Sequence, residues 1–272
     1  MTSFPDLLRR TAVAAPGIAL FAAVVLLDSD LLTVCFFSLV AGLAAWEAVG
    51  LLSPGAGPVP RMVGLVLTGA ASAGLALGVR YAPLLVPAPG VVLSLYWLGS
   101  SGFERAGSRI AGGTGLLGLV ALGIGLLCRH VLTGPNGYLV AVPLLICWLG
   151  DSAAYFTGSA LGRHRLMPAV SPSKTVEGLL AGLAGSACGA LAAGTLLLGF
   201  PAWQMIVTGA LGGIAAVAGD LIESALKRDA GVKDSGKILP GHGGILDRFD
   251  SLILVSPVTW VLLSQFGHTG GA

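Results

Sequence analysis

Runs of about 20 mostly apolar residues, each long enough to cross a bilayer, recur along the whole of this 272-residue chain. Hydrocarbon offers a backbone no hydrogen bonds, so such a chain can span only as helices that satisfy their own amides or as a closed barrel. The strict apolar–polar alternation of barrel strands is absent. Run length places helices at 11–27, 31–52, 62–79, 84–100, 110–128, 137–160, 175–199, 203–227 and 246–266. Pro83, Pro87 and Pro89 crowd the start of the fourth. The expected fold class is all-α, a polytopic transmembrane helical bundle of about nine spans forming one membrane domain. Only 10% of residues are charged, against ~25% in soluble domains. A net charge of +2 is too small to suggest a nucleic-acid partner.

The charges also orient the bundle. With the N-terminus in the cytoplasm, thirteen Lys and Arg residues fall on the cytoplasmic side and two, Arg80 and Arg129, fall outside. That bias fits the positive-inside rule. It brings the two charge-rich connections, 161–174 and 226–247, to the same face. Arg9-Arg10 and the Ala12-Val13-Ala14 triplet resemble a signal peptide, but the triplet precedes the apolar run that a cleavage site should follow, so an uncleaved first helix is expected. Cys35, Cys128, Cys147 and Cys188 form no CxxC pair and read as apolar packing residues. Gly113, Gly115 and Gly118 spell GxGxxG inside an apolar helix with no βαβ unit around it, so close helix packing is expected there. Gly158 and Gly162, and Gly178, Gly182 and Gly185, suit the same use.

Ionisable side chains beside hydrocarbon are costly and mark function by default. Asp220, Glu223 and Lys227 lie at i, i+3 and i+7, on one face of the eighth helix, and Asp247 and Asp250 lie at i, i+3 at the start of the ninth. Two acidic faces at one membrane side can converge, and a hard oxygen-seeking cation such as Mg²⁺ would relieve their repulsion. Structural ion pairing with Lys227, Arg228 and Arg248 is the plainer alternative. The connecting loop carries Lys227, Arg228, Lys233 and Lys237, which suit anionic headgroups or phosphates. Gly243-Gly244 would open the ninth helix with free amides, a phosphate-binding arrangement, flanked by His242 and Arg248.

A second constellation begins with Asp151 and Tyr155, one turn apart, and continues through Arg163, His164 and Arg165 to Ser171-Pro-Ser173-Lys174-Thr175-Val-Glu177-Gly178. Ser173 is expected to N-cap the seventh helix. Lys174 would then sit in its first turn, where the macrodipole disfavours a cation and a bound polyanion would explain it; a snorkelling lysine is the alternative. Glu47 is a buried acid on the second helix with no partner identifiable from sequence.

Ser224 to Asp250 resembles the signature of the integral-membrane phosphatidate cytidylyltransferases: Ser-x-hydrophobic-Lys-Arg, four residues, Lys-Asp-x-Gly, then Leu-Pro-x-His-Gly-Gly-hydrophobic-x-Asp-Arg-hydrophobic-Asp. Asp151-x-x-x-Tyr155 and Ser-Pro-Ser-Lys-Thr-x-Glu-Gly are similar to the same family, and the resemblance covers roughly residues 145–255. It implies that CTP and phosphatidate give CDP-diacylglycerol and pyrophosphate in a homodimer of the inner membrane, with the site on the cytoplasmic side. It also implies Mg²⁺ dependence, with K⁺ as a candidate second metal. Asp220 and Asp247 correspond to the family's metal-binding aspartates, with Glu223 and Asp250 as further candidates. Lys227, Arg228, Lys233, His242 and Arg248 are then expected to act on phosphates. Asp151, Tyr155, Ser173, Lys174, Glu177, Asp234, Gly243 and Gly244 are expected to bind substrate. Residues 136–272 would hold the catalytic helices, and 1–135 the scaffold, dimer or lipid-facing helices. Competing readings are another CTP-using lipid enzyme, such as a polyprenol kinase or an archaeal-type CDP-lipid synthase, and an ion-coupled transporter. The chain lacks the Asp-x-x-Asp-Gly-x-x-Ala-Arg run of the CDP-alcohol phosphotransferases.

Overall fold

The computed structural model describes residues 19–27, 29–100, 103–239 and 243–269. Arg9, Arg10, His242 and the first part of the expected 11–27 helix lie outside them. A short helix α1 covers 19–26. It is followed by α2 (Asp30–Leu52), α3 (Pro58–Ala76), α4 (Ala82–Leu85), α5 (Ala88–Ser100) and α6 (Phe103–Thr133). A 3₁₀ turn over Pro135–Val140 leads into α7 (Ala141–Leu161), and an antiparallel hairpin, β1 (Arg165–Met167) and β2 (Ser171–Thr175), leads into α8 (Val176–Ala190). A π-helical stretch, Leu191–Leu197, extends α8, before α9 (Ala202–Asp229) and α10 (Leu246–Gln265). Among the described residues, seven stretches are long and apolar enough to cross a membrane, from Asp30–Leu52 to Ala202–Asp229. The fold is thus a helical bundle of membrane type. Helix α10 falls short of that measure; its first turns carry Asp247, Arg248 and Asp250.

Several boundaries differ from expectation for local reasons. Prolines divide the fourth predicted helix into α4 and α5. Helix α6 runs from Phe103 to Thr133, well beyond the predicted 110–128: it adds the polar segment 103–109 at its start and 129–133 at its end, which run length alone does not register. It packs against α2, α3, α5 and α10. Leu117, Ile124 and Leu127 of α6 join Phe37, Trp97 and Leu263 in a fully buried core. Buried His130 contacts Leu126 O at 2.7 Å and Thr259 Oγ1 at 3.2 Å, which joins α6 to α10 without an unpaired ring nitrogen. Arg129 donates to the carbonyls of Leu75 and Ala76 at 3.4 Å, a cation at the C-terminus of α3. Of the GxGxxG letters, Gly113 marks close packing, since a side chain there would run into the Trp97 ring; Gly115 faces open space and Gly118 makes only ordinary contact.

The hairpin is strand structure that run-length reading missed. Its strands are only three and five residues long, and it stands where a plain connection was expected. It pairs Arg165 with Thr175 and Met167 with Ser171. It is anchored where Val176 N donates to His164 O at 2.9 Å.

Candidate active site

Helices α7 and α8 lie side by side because their facing residues are small. A Cβ added at Gly182 would sit 3.2 Å from Ala154 Cβ, and one at Gly178 would sit 2.9 Å from Ala154 O. Such small-residue faces let transmembrane backbones approach closely. Beyond this seam the hairpin turns aside. A cleft of about 620 Å³ opens among α7, the hairpin, the start of α8 and the middle of α9. Its walls include Asp151 and Tyr155 from α7, Arg165 from β1, Ser173 and Lys174 from β2, and Asp220 from α9. The structure thus brings together five of the residues selected from sequence. It adds Arg165, which the sequence singled out without a role.

Lys174 Nζ lies 2.5 Å from Asp220 Oδ2, and Ser224 Oγ donates to Asp220 Oδ1 at 3.1 Å. The two charged side chains keep 24% and 33% of their surface open, so both are reachable from the cleft. The Asp151 carboxyl lines the same cleft as Asp220. Tyr155 is 70% exposed and meets Phe156 edge-to-face at 5.5 Å.

The expected cap is corrected. Thr175, not Ser173, caps α8: its Oγ1 accepts the Gly178 amide at 3.1 Å. Ser173 and Lys174 belong to β2, so Lys174 is not in the first turn of the helix and the macrodipole argument does not apply. Asp220 is what holds it. Glu177 does not line the cleft. Its Oε2 accepts the amides of Arg163 at 3.1 Å and His164 at 3.3 Å, and its Oε1 lies 2.6 Å from His164 Nδ1. It therefore ties the connection after α7 to α8.

A second charged station begins one turn further along α9, at Glu223. Lys227 Nζ bridges Glu223 Oε2 at 2.9 Å and Asp247 Oδ1 at 2.7 Å, and all three side chains are at most 13% exposed. Asp247 Oδ2 accepts three further bonds: from Ser235 N at 2.9 Å, Ser235 Oγ at 2.8 Å and Gly244 N at 2.8 Å. Glu47 arrives from α2 to accept the Leu246 amide at 2.9 Å and Ser235 Oγ at 3.2 Å. This corrects the expectation of free amides at the start of α10. The amides of Gly244 and Leu246 are occupied by carboxylates of the protein itself, and Gly244 is buried.

The other selected residues are dispersed. Arg228 donates to Val170 O at 3.3 Å and to Val232 O at 3.5 Å, linking the loop after α9 to the hairpin turn. Lys233 and Asp234 are exposed on that loop, Arg248 is exposed on α10, and Gly243 accepts from the Leu239 amide at 3.0 Å.

The acids suit a hard divalent cation in their chemistry. Asp151, Asp220, Glu223, Asp247 and Asp250 offer only oxygen donors. Glu223 Oε1 is buried with no basic partner, and the Asp250 carboxyl lies beside Glu223. A small void of about 20 Å³ borders both residues. The carboxylates are nevertheless parted rather than gathered, Asp220 onto Lys174 and Asp247 onto Lys227. Among the described residues, no three His, Cys, Asp or Glu side chains form a group placed to hold one ion.

Residues 8–266 match the family model described as "Cytidylyltransferase family". Curated relatives named phosphatidate cytidylyltransferase include one from Staphylococcus haemolyticus (strain JCSC1435), 38% identical over 154 residues, and one from Staphylococcus aureus (strain COL), 42% identical over 155. Each match covers 55% of this chain and 58% of the relative, so the aligned part spans little more than half the length of those relatives. A protein of Escherichia coli (strain K12) named uncharacterized protein YnbB is 48% identical over 120 residues, 44% of this chain and 40% of its own.

Proposed function

The chain belongs to the cytidylyltransferase family, and on that premise we propose that it transfers a cytidylyl group from CTP to phosphatidate, giving CDP-diacylglycerol and pyrophosphate. The observation that carries this reading is the cleft in which Lys174 and Asp220 meet, reachable and walled by helices of an apolar bundle. The phosphate of the lipid attacks the α-phosphorus of CTP in line, and pyrophosphate leaves. A phosphate monoester is already nucleophilic near neutral pH, so no dedicated base is required. The barrier is alignment of two anions and their mutual repulsion, which fixed cations lower.

Lys174 and Arg165 would draw the phosphates into the cleft, with Asp151, Tyr155 and Ser173 along the nucleotide. Lys227 would contribute positive charge from the second station. Arg228, Lys233, Asp234, Gly243 and Arg248 would border the loop side and Glu177 would position the hairpin, and the family resemblance adds His242 as a phosphate contact. Mg²⁺, with K⁺ as a candidate second ion, would be held by Asp220 and Asp247, with Glu223 and Asp250 as further ligands, and would neutralise charge developing on the phosphates.

The charge bias supports an N-terminus and a site on the cytoplasmic side of the inner membrane. Run length supports about nine spans, and the family resemblance implies a homodimer, with the helices before residue 136 as scaffold, lipid-facing or dimer surface. The test offers the purified protein CTP labelled in the cytosine ring together with phosphatidate and Mg²⁺. Label entering the organic phase with release of pyrophosphate is the expected result. Label remaining aqueous overturns the reading. In a parallel arm, CTP labelled at the γ-phosphate would mark a polyprenol if the protein were a lipid kinase.

A further inference from the structure

The Glu47 carboxylate sits 3% exposed, yet its helix belongs to the other half of the chain from every residue discussed in the reaction. Its Oε2 accepts the Leu246 amide, which begins α10, and lies 3.2 Å from Ser235 Oγ. Ser235 in turn gives its amide to Asp247 at 2.9 Å and its hydroxyl at 2.8 Å. The hydroxyl has one proton, which lies between the two carboxylates, nearer Asp247, as a three-centre bond. Its approach to Glu47 then joins the two acids through a single oxygen. Glu47 also fits a socket that only glycines leave open. A Cβ at Gly236 would collide with its Oε1, and one at Gly244 with its Oε2. A carboxylate at the N-terminus of a helix is favoured by the helix dipole, but here it is supplied from 199 residues away in sequence. Such a cap fixes where α10 begins. Asp247 lies in that first turn.

We propose that Glu47 is a positioning residue: through the Leu246 amide and Ser235 it sets the orientation of Asp247 and holds the 230–239 loop over the second charged station. This rests on the cytidylyl-transfer reading for its consequence in activity but not for its consequence in structure. The Glu47 Oε1 atom is buried without a hydrogen-bond partner, so an amide nitrogen in its place breaks no existing bond. The substitution Glu47→Gln would therefore keep an acceptor for Leu246.

The experiment compares wild-type protein with Glu47→Ala and Glu47→Gln in detergent. One readout is the kcat and Mg²⁺ half-saturation of CTP-dependent lipid labelling. The other, independent of turnover, is the rate of limited tryptic cleavage after Lys233 and Lys237 in the loop. Glu47→Ala is expected to lower kcat by about 10- to 100-fold or raise the Mg²⁺ requirement similarly, the usual cost of losing a group that orients a ligand. It should also speed loop cleavage, and Glu47→Gln should restore most of both. Unchanged cleavage in Glu47→Ala overturns the proposal, as does faster cleavage with kcat and Mg²⁺ half-saturation per folded molecule both unchanged. If the wild-type protein labels no lipid, the activity reading fails, and the tryptic comparison alone decides whether Glu47 holds the loop.

Discussion

Replacing Lys227 by Met removes a cation that two buried carboxylates share while keeping most of the side-chain volume. Lys227 Nζ stands 2.9 Å from Glu223 and 2.7 Å from Asp247, with side-chain exposures of 13%, 4% and 7% for the lysine and the two acids. At that depth water screens little. Removing one partner of such a pair strands charge, at a cost of about 3–5 kcal/mol, far above the roughly 0–1 kcal/mol of a surface pair. The loss falls unequally. Asp247 retains the Ser235 amide, the Ser235 hydroxyl and the Gly244 amide. Glu223 loses the donor to its Oε2 and is left with only the Asp250 carboxyl beside it.

Neutralising Glu223 in the same protein should therefore recover much of the stability. The measurement is unfolding of Lys227→Met, Glu223→Gln and the double variant by titration with SDS against a mild detergent, followed by intrinsic tryptophan fluorescence. A Lys227→Met deficit below about 1 kcal/mol, or a double variant no more stable than Lys227→Met, would refute the reasoning. If the acids hold a divalent cation, the Lys227→Met deficit should also narrow on adding Mg²⁺, since a ligand at a hundredfold its Kd contributes about 2.7 kcal/mol.

Asp247→Asn should insert and fold, because three of its four donors can still be accommodated by the amide oxygen or by small rotations, but CTP-dependent lipid labelling should fall by at least about 100-fold if the carboxylate holds a cation at the reacting phosphates; near-normal turnover would exclude that role. Lys174→Ala should raise the KM for CTP or phosphatidate or lower kcat, with a shift of about tenfold, and unchanged constants would show that the open ion pair with Asp220 is merely structural. Gly185→Val should lower the amount of folded protein recovered from membranes and its midpoint in SDS, since a Cβ there would lie 2.5 Å from Leu149 O across the α7–α8 seam; an unaltered midpoint would show that the seam yields.

Helices were readable from the sequence because run length and hydropathy respond to the bilayer, and the stretches from α2 to α9 follow that rule. The residues of the cleft were readable for a related reason. In an apolar chain, Asp151, Lys174 and Asp220 have few other purposes, and the motif spacing placed them on elements that do meet. What escaped was what depends on tertiary partners. The cap moved from Ser173 to Thr175 because the preceding residues pair with β1, and a pairing of three and five residues leaves almost no periodic signal. The amides at the start of α10 were expected to be free for phosphate. Their acceptors are Asp247 in the same turn and Glu47 far away in sequence. The glycine pair at 243–244 gave no indication of an acid arriving from α2. Glycine opposite a carboxylate reads the same as glycine opposite a ligand phosphate.

One helix carries both charged stations. Asp220 and Lys227 are seven residues apart on α9, two turns that keep them on one face, and Lys227 reaches back to Glu223, one turn from Asp220. Asp220 is paired with a lysine from the hairpin, and Lys227 with an aspartate from α10. Each station thus joins α9 to a different neighbour and holds one acid against one lysine across that junction. A polyanion entering the cleft would compete with Asp220 for Lys174, and a divalent cation would compete with Lys174 for Asp220. The two ligands therefore assist one another: either one releases the group the other needs. Binding of nucleotide and metal should accordingly be coupled, each raising the affinity for the other by the same factor. At the second station, Lys227 and Asp247 obey the same logic with less solvent to weaken it.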